Sequence, residues 1–365
     1  MSCEKSLALS CEHAFHVKCV AQLRKFGVKQ VCPLCRTPLP PGPEKVYEEA
    51  SRCYCVVLRL VERGHASWSS LPATAQQQLD SALAGWRAAA DDGHAGAQDY
   101  LGIMYREGRG VAQSDKDAVL WFRKAADQGD ASAQSNLGVM ILNGRGVAQS
   151  DKEAVRWYRK GADQGDAGAQ YNLGVMIQEG RGVAQSDAEA LRWFKKAAHQ
   201  GDAGAQYIVG VNSENGCGVP QSYAEAFQWY RKAADQGNAD AQCNLGLMFA
   251  EGRGVAQNNK EAVRLYKKAA DQGDADSQCN LGTMFQDGRG VAQSDLEAVQ
   301  WYRKAADQGN ANAQCNLGYM TFEGRGVAQS HFEAAQWYRK AADQGHIGAQ
   351  HNLRMMMRAA EAWLG

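Results

Sequence analysis

Cys11, His13, His16 and Cys19 are followed, after 12 residues, by Cys32 and Cys35, so six metal-type ligands fall within 25 residues. The spacing is Cys-x-His-x2-His-x2-Cys, then Cys-x2-Cys. Zn²⁺ takes four thiolate or imidazole ligands in a tetrahedron held by short chelating loops, and this pattern supplies both. The predicted chemistry is zinc binding. So small a segment has little core, so the metal supplies much of its folding free energy. Seven of the 11 cysteines lie in the first 55 residues, while Cys217, Cys243, Cys279 and Cys315 are scattered. Such clustering in a reduced compartment reads as a metal site rather than a disulfide framework. Cys53 and Cys55 read as helix residues, because Cys-x-Cys alone is a poor chelate.

The composition excludes several classes. Lys+Arg and Asp+Glu both number 40 in 365 residues, and this balance argues against bulk electrostatic binding of nucleic acid or of a membrane surface. No apolar run approaches the ~20 residues of a membrane span, and Met-Ser-Cys-Glu-Lys at the start lacks the apolar stretch of a signal peptide. A cytoplasmic or nuclear protein is the expectation.

The elements that carry the rest of the chain are set by an internal period. Leu-Gly recurs every 36 residues from Leu101-Gly102 to Leu317-Gly318, with Val209-Gly210 in the fourth place. Trp121, Trp157, Trp193, Trp229, Trp301 and Trp337 keep the same step, with Leu265 as the exception. Each unit reads as two helices. Ala97, Leu101, Met104 and Tyr105 form an apolar stripe, Gly108-Arg109-Gly110 ends the first helix, and Ser114 with Asp117 forms a capping box that starts the second. Ala118, Trp121, Phe122 and Ala125 are the predicted buried face of that second helix. Gly102 and Ala126 are expected to let the paired helices approach closely. The recurring Gly-x-Gly loop lacks the strand or Gly-Lys-Ser/Thr of a phosphate site and reads as a turn. Arg-Lys pairs such as Arg123-Lys124 read as solvated faces.

The string AQxNLGxMxxxGRGVAQS…A…WYRKAADQG, carried over about 250 residues, resembles Sel-one-like repeats, relatives of the tetratricopeptide repeat. The resemblance implies an all-α fold, an α/α solenoid that binds other proteins. The fourth unit departs from it at Ile208 to Cys217, which predicts looser packing or a bend there. Asp99, Ser135, Tyr171, Tyr207, Cys243, Cys279 and Cys315, one per unit after the Ala-Gln or Ser-Gln pair, are either a partner-binding groove or drifting surface positions. Successive cysteines among them stand too far apart for a disulfide.

The string CEHAFHVKCV…VCPLCRTPLPP resembles the later three-quarters of a RING finger of the two-histidine type. The resemblance implies that Cys11, His13, Cys32 and Cys35 hold one zinc, while His16 and Cys19 belong to the other. Cys3 then takes the place of that site's second ligand. Its first ligand lies upstream of Met1, the favoured expectation, or the site is degenerate, so two zinc ions are expected if the module is complete and one if it is not. RING fingers act as ubiquitin-protein ligases without a covalent intermediate, by orienting a ubiquitin-conjugating enzyme and its ubiquitin. On that resemblance Pro33 and Leu34 belong to the docking surface for the enzyme, and Arg36 is the basic residue that orients ubiquitin. A zinc finger that reads histone tails or nucleic acid fits less well, since no Trp precedes Cys32 in the manner of histone readers.

The resulting organisation is a RING-like zinc module over 1–43 and a helical connector and cap over 44–96. Seven repeats follow over 97–348, with a C-terminal capping helix over 349–365. Pro38, Pro40, Pro41 and Pro43 stiffen the exit from the zinc module. Val46, Ala50, Cys53, Val57 and Leu60, then Leu79, Leu83 and Trp86 after Pro72, follow helical spacing. The expected function is a ubiquitin-protein ligase whose solenoid binds a protein substrate or adaptor. The alternative is a non-catalytic interaction scaffold with a structural zinc finger. Neither a nucleic acid nor a membrane is an expected partner.

Overall fold

The computed structural model describes residues 6–8, 14–16 and 41–364, with side chains described from 41 to 358. Strands β1 (Ser6–Ala8) and β2 (Ala14–His16) pair antiparallel, with Ser6 opposite His16 and Ala8 opposite Ala14. Seventeen helices follow among the described residues, giving an all-α solenoid of helix pairs. They form two compact bodies, one reaching to Met176 and including Gly180–Ala184, the other made of Ile177–Glu179 and the chain from Gln185 onward.

Helices α1 (Pro43–Glu62) and α2 (Ala73–Asp91) form a hairpin, and Pro72 stands just outside α2 as its N-cap. Tyr54, Val57, Leu79, Leu83 and Trp86 are buried together with Leu101 and Met104 of α3 (Ala95–Glu107). Trp86 stacks on Tyr100 at 4.8 Å between ring centroids. Arg109, in the loop after α3, donates to the Tyr54 hydroxyl at 2.8 Å and lies 4.6 Å from the Trp68 ring centroid.

In six of the seven repeats, the third apart, a first helix packs on the second that follows it. The first helices after α3 are α5 (Ala131–Leu142), α7 (Ala167–Glu179), α9 (Ala203–Asn215), α11 (Ala239–Glu251), α13 (Ala275–Asp287) and α15 (Ala311–Glu323). Their partners are α4 (Asp115–Asp127), α6 (Asp151–Asp163), α8 (Asp187–His199), α10 (Tyr223–Asp235), α12 (Asn259–Asp271), α14 (Asp295–Asp307) and α16 (His331–Asp343). Helix α17 (Ile347–Leu364) follows α16 as a first helix does. The first helices start two residues before the Ala97 register read from the sequence. The reason is local: His94, Asp130, Asp166, Asp202, Asn238, Asp274 and Asn310 each accept the backbone N–H three residues on, at 2.6–3.1 Å.

Close pairing rests on the glycine of Leu-Gly. A Cβ added at Gly102 would lie 2.5 Å from the Phe122 ring, and at Gly138, Gly210, Gly246, Gly282 and Gly318 it would lie 2.6–2.9 Å from a tyrosine ring. Those rings, Phe122, Tyr158, Tyr230, Tyr266, Tyr302 and Tyr338, are the large buried side chains of the second helices. This corrects the expectation for Trp121. Of the six tryptophans at this position, five are half-buried and Trp229 of the fourth unit is buried, as is Leu265 in their place in the fifth. The lysine three residues after each tryptophan lies over its outer side, 3.8–4.1 Å from the ring centroid in all six cases. Lys124 is therefore engaged in a cation–π contact rather than simply solvated.

Half of the predicted capping box forms. Ser114 Oγ accepts from the Asp117 N–H at 3.3 Å, and the other second helices repeat this at 3.2–3.3 Å. The N–H of the capping residue goes instead to a carbonyl near the end of the first helix, as in Ser114 to Tyr105 at 2.9 Å. In three units the acidic side chain three residues on reaches back to the preceding unit, while Glu261 pairs with Arg264 of its own helix. Arg123 reaches Glu153 at 3.6 Å, Lys195 reaches Glu225 at 3.0 Å, and Arg303 reaches Glu333 at 3.5 Å.

Candidate interaction face

Much of each repeat's polar chemistry is spent on joining it to the next. The glutamine of the Ala-Gln or Ser-Gln pair is buried in every unit. From Gln98 to Gln314 its Nε2 donates to the carbonyl eight residues back, at 3.0–3.2 Å, satisfying a group that the end of the preceding helix leaves open. Its Oε1 accepts from the glutamine 30 residues on: Gln128 to Gln98, Gln164 to Gln134, Gln236 to Gln206, Gln272 to Gln242, Gln308 to Gln278 and Gln344 to Gln314, all at 2.7–2.9 Å. Sequence reasoning passed over these residues. The signal was present in the paired recurrence of Ala-Gln and Asp-Gln-Gly.

The loop arginines do the same at the other end of the unit. Arg145, Arg181 and Arg325 each fork onto the aspartate 30 residues earlier, Asp115, Asp151 and Asp295, with N–O distances of 2.7–3.2 Å. A Cβ at Gly182 would meet the Asp151 carbonyl carbon at 2.5 Å, so this loop must carry glycine to lie against the neighbouring helix end.

The positions proposed as a groove divide. Asp99 is buried and accepts from Ser132 at 3.0 Å and Asn136 at 2.9 Å. Burial raises its pKa to about 6, against these bonds. Cys279 is buried, whereas Ser135, Tyr171, Tyr207, Cys243 and Cys315 are half-buried. Burial pushes the Cys243 and Cys279 thiols up to about 12 and raises Cys315 as well. These thiols are therefore protonated at neutral pH and poor nucleophiles. The next residue, asparagine in most units, bridges first helices: Asn136 reaches Asp99, while Asn280 and Asn316 reach only the sulfurs of Cys243 and Cys279, at 3.9 Å. One turn further, Leu247 and Thr283 are half-buried and Tyr319 is exposed. In the second compact body, α11, α13 and α15 thus present Asn244, Leu247, Asn280, Thr283, Asn316 and Tyr319 as a recurring mixed face.

This repeating unit is matched as the Sel1 repeat at residues 95–130, 131–166, 167–202, 203–238, 239–274, 275–310 and 311–346. The chain belongs to the Sel1 repeat family. It is similar to the Escherichia coli protein c5321, a protective antigen of uropathogenic strains displaying an SLR fold, at 32% identity and a TM-score of 0.72, covering 94% of this chain and 68% of that one. A Sel1 repeat protein from Oxalobacter formigenes is 30% identical with a TM-score of 0.59, covering 86% of this chain and 90% of its own. None of the curated proteins matches the chain.

Cys3, Cys11, His13, Cys19, Cys32, Pro33, Leu34, Cys35 and Arg36 lie outside the described residues. His16 ends β2, and residues 9–13, which include Cys11 and His13, connect the two paired strands in sequence. Among the described residues no group of three or more His, Cys, Asp or Glu side chains is arranged to hold a metal. Cys53 is half-buried and Cys55 exposed on α1, as helix residues. No described helix is long and apolar enough to cross a membrane. A cleft of about 620 Å³ on α6 is lined by Lys152, Val155, Arg156, Arg159, Lys160 and Asp163 with Gly182 and Val183. Its spacing is one helix face, and Lys160 is already over the Trp157 ring.

Proposed function

We propose that this Sel1 array is a protein–protein interaction scaffold whose first helices hold a protein partner. The observation that carries the reading is the face of α11, α13 and α15, where half-buried Leu247 and Thr283 and exposed Tyr319 recur every 36 residues beside Asn280 and Asn316, whose reach to the preceding unit is a long contact of 3.9 Å to a cysteine sulfur. Amides and half-buried apolar groups together suit a polypeptide, which offers backbone hydrogen-bonding groups and side chains at regular intervals. The test is selection of binding peptides from a displayed library by the full chain. Selected peptides are expected to lose at least tenfold in affinity on Leu247→Glu or Tyr319→Glu with the thermal midpoint unchanged. Binding insensitive to both substitutions would remove this face from the proposal.

A second reading extends the first: the chain is a ubiquitin-protein ligase, with the array selecting the substrate. It is favoured by the six-ligand run from Cys11 to Cys35 followed by Arg36. Cys11, His13, Cys32 and Cys35 are a donor set that fits zinc, which when bound would serve as the folding nucleus of the segment. His16, Cys19 and Cys3 would contribute to a second ion. Pro33 and Leu34 would meet a ubiquitin-conjugating enzyme, and the planar guanidinium of Arg36 would bridge it to ubiquitin. Discharge of ubiquitin from a panel of charged conjugating enzymes tests this. Acceleration that is lost in Cys32→Ser and in Arg36→Ala supports the ligase. Its absence with every enzyme, in a chain shown to hold zinc, leaves the scaffold alone.

A further inference from the structure

We propose that the fourth repeat is a built-in opening point, the place where the Sel1 array yields locally before any other internal unit. Three independent departures meet there. Asn212 stands where the neighbouring units carry buried methionines, Met176 and Met248, and Ser213 stands where they carry Ile177 and Phe249. Both side chains are buried, yet Ser213 Oγ has no hydrogen-bond partner and Asn212 receives only a long bond from Gln178, 3.5 Å. Replacing large apolar groups by small polar ones at fully buried positions removes packing and leaves polar atoms unsatisfied.

The third departure is outside the core. Cys217 replaces the loop arginine, so Asp187 has no fork of the kind that Arg145, Arg181 and Arg325 make. The following join is altered as well, because Tyr223 replaces the aspartate that Arg253 would reach. Arg253 instead lies 5.7 Å from the Tyr223 ring centroid and bonds Glu214 at 3.1 Å. Glu214 also accepts from the Tyr230 hydroxyl at 2.7 Å. The loop's own backbone bonds are intact, with the Ser222 N–H on the Ser213 carbonyl at 2.7 Å. The unit therefore closes, but it is held by a tie through one carboxylate, where both neighbours carry apolar packing at the equivalents of Asn212 and Ser213 and the preceding unit also has the partly exposed fork of Arg181 on Asp151.

Local openings of this kind set amide exchange segment by segment. Hydrogen exchange followed by mass spectrometry on the full chain is the test, comparing residues 203–222 with the equivalent residues 239–258 and 275–294. We expect exchange about 10- to 100-fold faster in the fourth unit. The triple variant Asn212→Met, Ser213→Phe, Cys217→Arg is expected to bring it within about threefold of the other two. The surface change Cys217→Arg alone, which leaves the core untouched, is expected to slow exchange in part. Equal protection of the three segments in the native chain would overturn the proposal. So would fast exchange that persists in both variants.

Discussion

Asp99 gives the sharpest quantitative test, because the fold buries its carboxyl with two neutral hydrogen-bond donors, Ser132 and Asn136. Its pKa is raised from 3.8 to about 6, chiefly by burial. Ionised Asp99 therefore opposes folding, by about 3 kcal/mol at 1.4 kcal/mol per tenfold. The sign follows directly: the neutral acid suits the fold, so this contribution is absent below pH ~4, grows as pH rises to ~6, and stays at its full value above. Asp99→Asn keeps an oxygen for Ser132 and Asn136 and removes the charge, with its own amide N–H groups left to find partners. The variant should be more stable than the native chain by about 2 kcal/mol at pH 8, and the difference should shrink to near zero by pH 4. Urea unfolding at several pH values, read through tryptophan fluorescence from the cluster around Trp86, measures both. A difference that does not vary with pH, or a variant less stable at pH 8, would refute the reasoning.

Three further outcomes are expected. Gly282→Ala should destabilise the array by roughly 1–3 kcal/mol despite alanine's better helix propensity, since the Tyr302 ring must move; a loss much smaller beside Tyr302→Leu, by calorimetry, ties it to that contact. A double-mutant cycle between Arg325→Ala and Asp295→Ala should give a coupling of about 0.5–1 kcal/mol that falls in high salt, because both side chains are 31% exposed. Metal analysis should find zinc, two ions per chain if Cys3 and a further ligand complete the second site and one otherwise. Chelation should leave the far-ultraviolet helical signal nearly unchanged, because the helices are joined by glutamine and arginine bonds.

The period and the two-helix unit were legible because Leu-Gly, Gly-Arg-Gly and the capping serines mark local events: a close approach, a left-handed turn, a helix start. What each side chain faces was less so. Trp121 and Phe122 both look like core in a helical pattern, and only the neighbouring Gly102 decides which ring goes inside. Asp117 looks like half of a capping box, yet the Ser114 N–H is claimed by Tyr105, and no local pattern reports that distant carbonyl. Asp99 reads as a surface variant because burial of an acid depends on Asn136, 37 residues away. The zinc ligands remain a reading of spacing and chemistry, with Cys11, His13, Cys32 and Cys35 carrying it.

The 30-residue reach of Arg145, Arg181 and Arg325 makes each repeat an interchangeable cassette, since gain or loss of 36 residues leaves every such pair in step. The fourth repeat breaks the rule in a paired way, with Asp187 lacking its arginine and Arg253 lacking its aspartate. Excision of residues 188–223 would place Asp187 30 positions before Arg253 and restore the fork across the scar. A shortened chain of six repeats is then expected to carry one more arginine fork than its parent, so that loss of this particular unit would mend a join rather than break one.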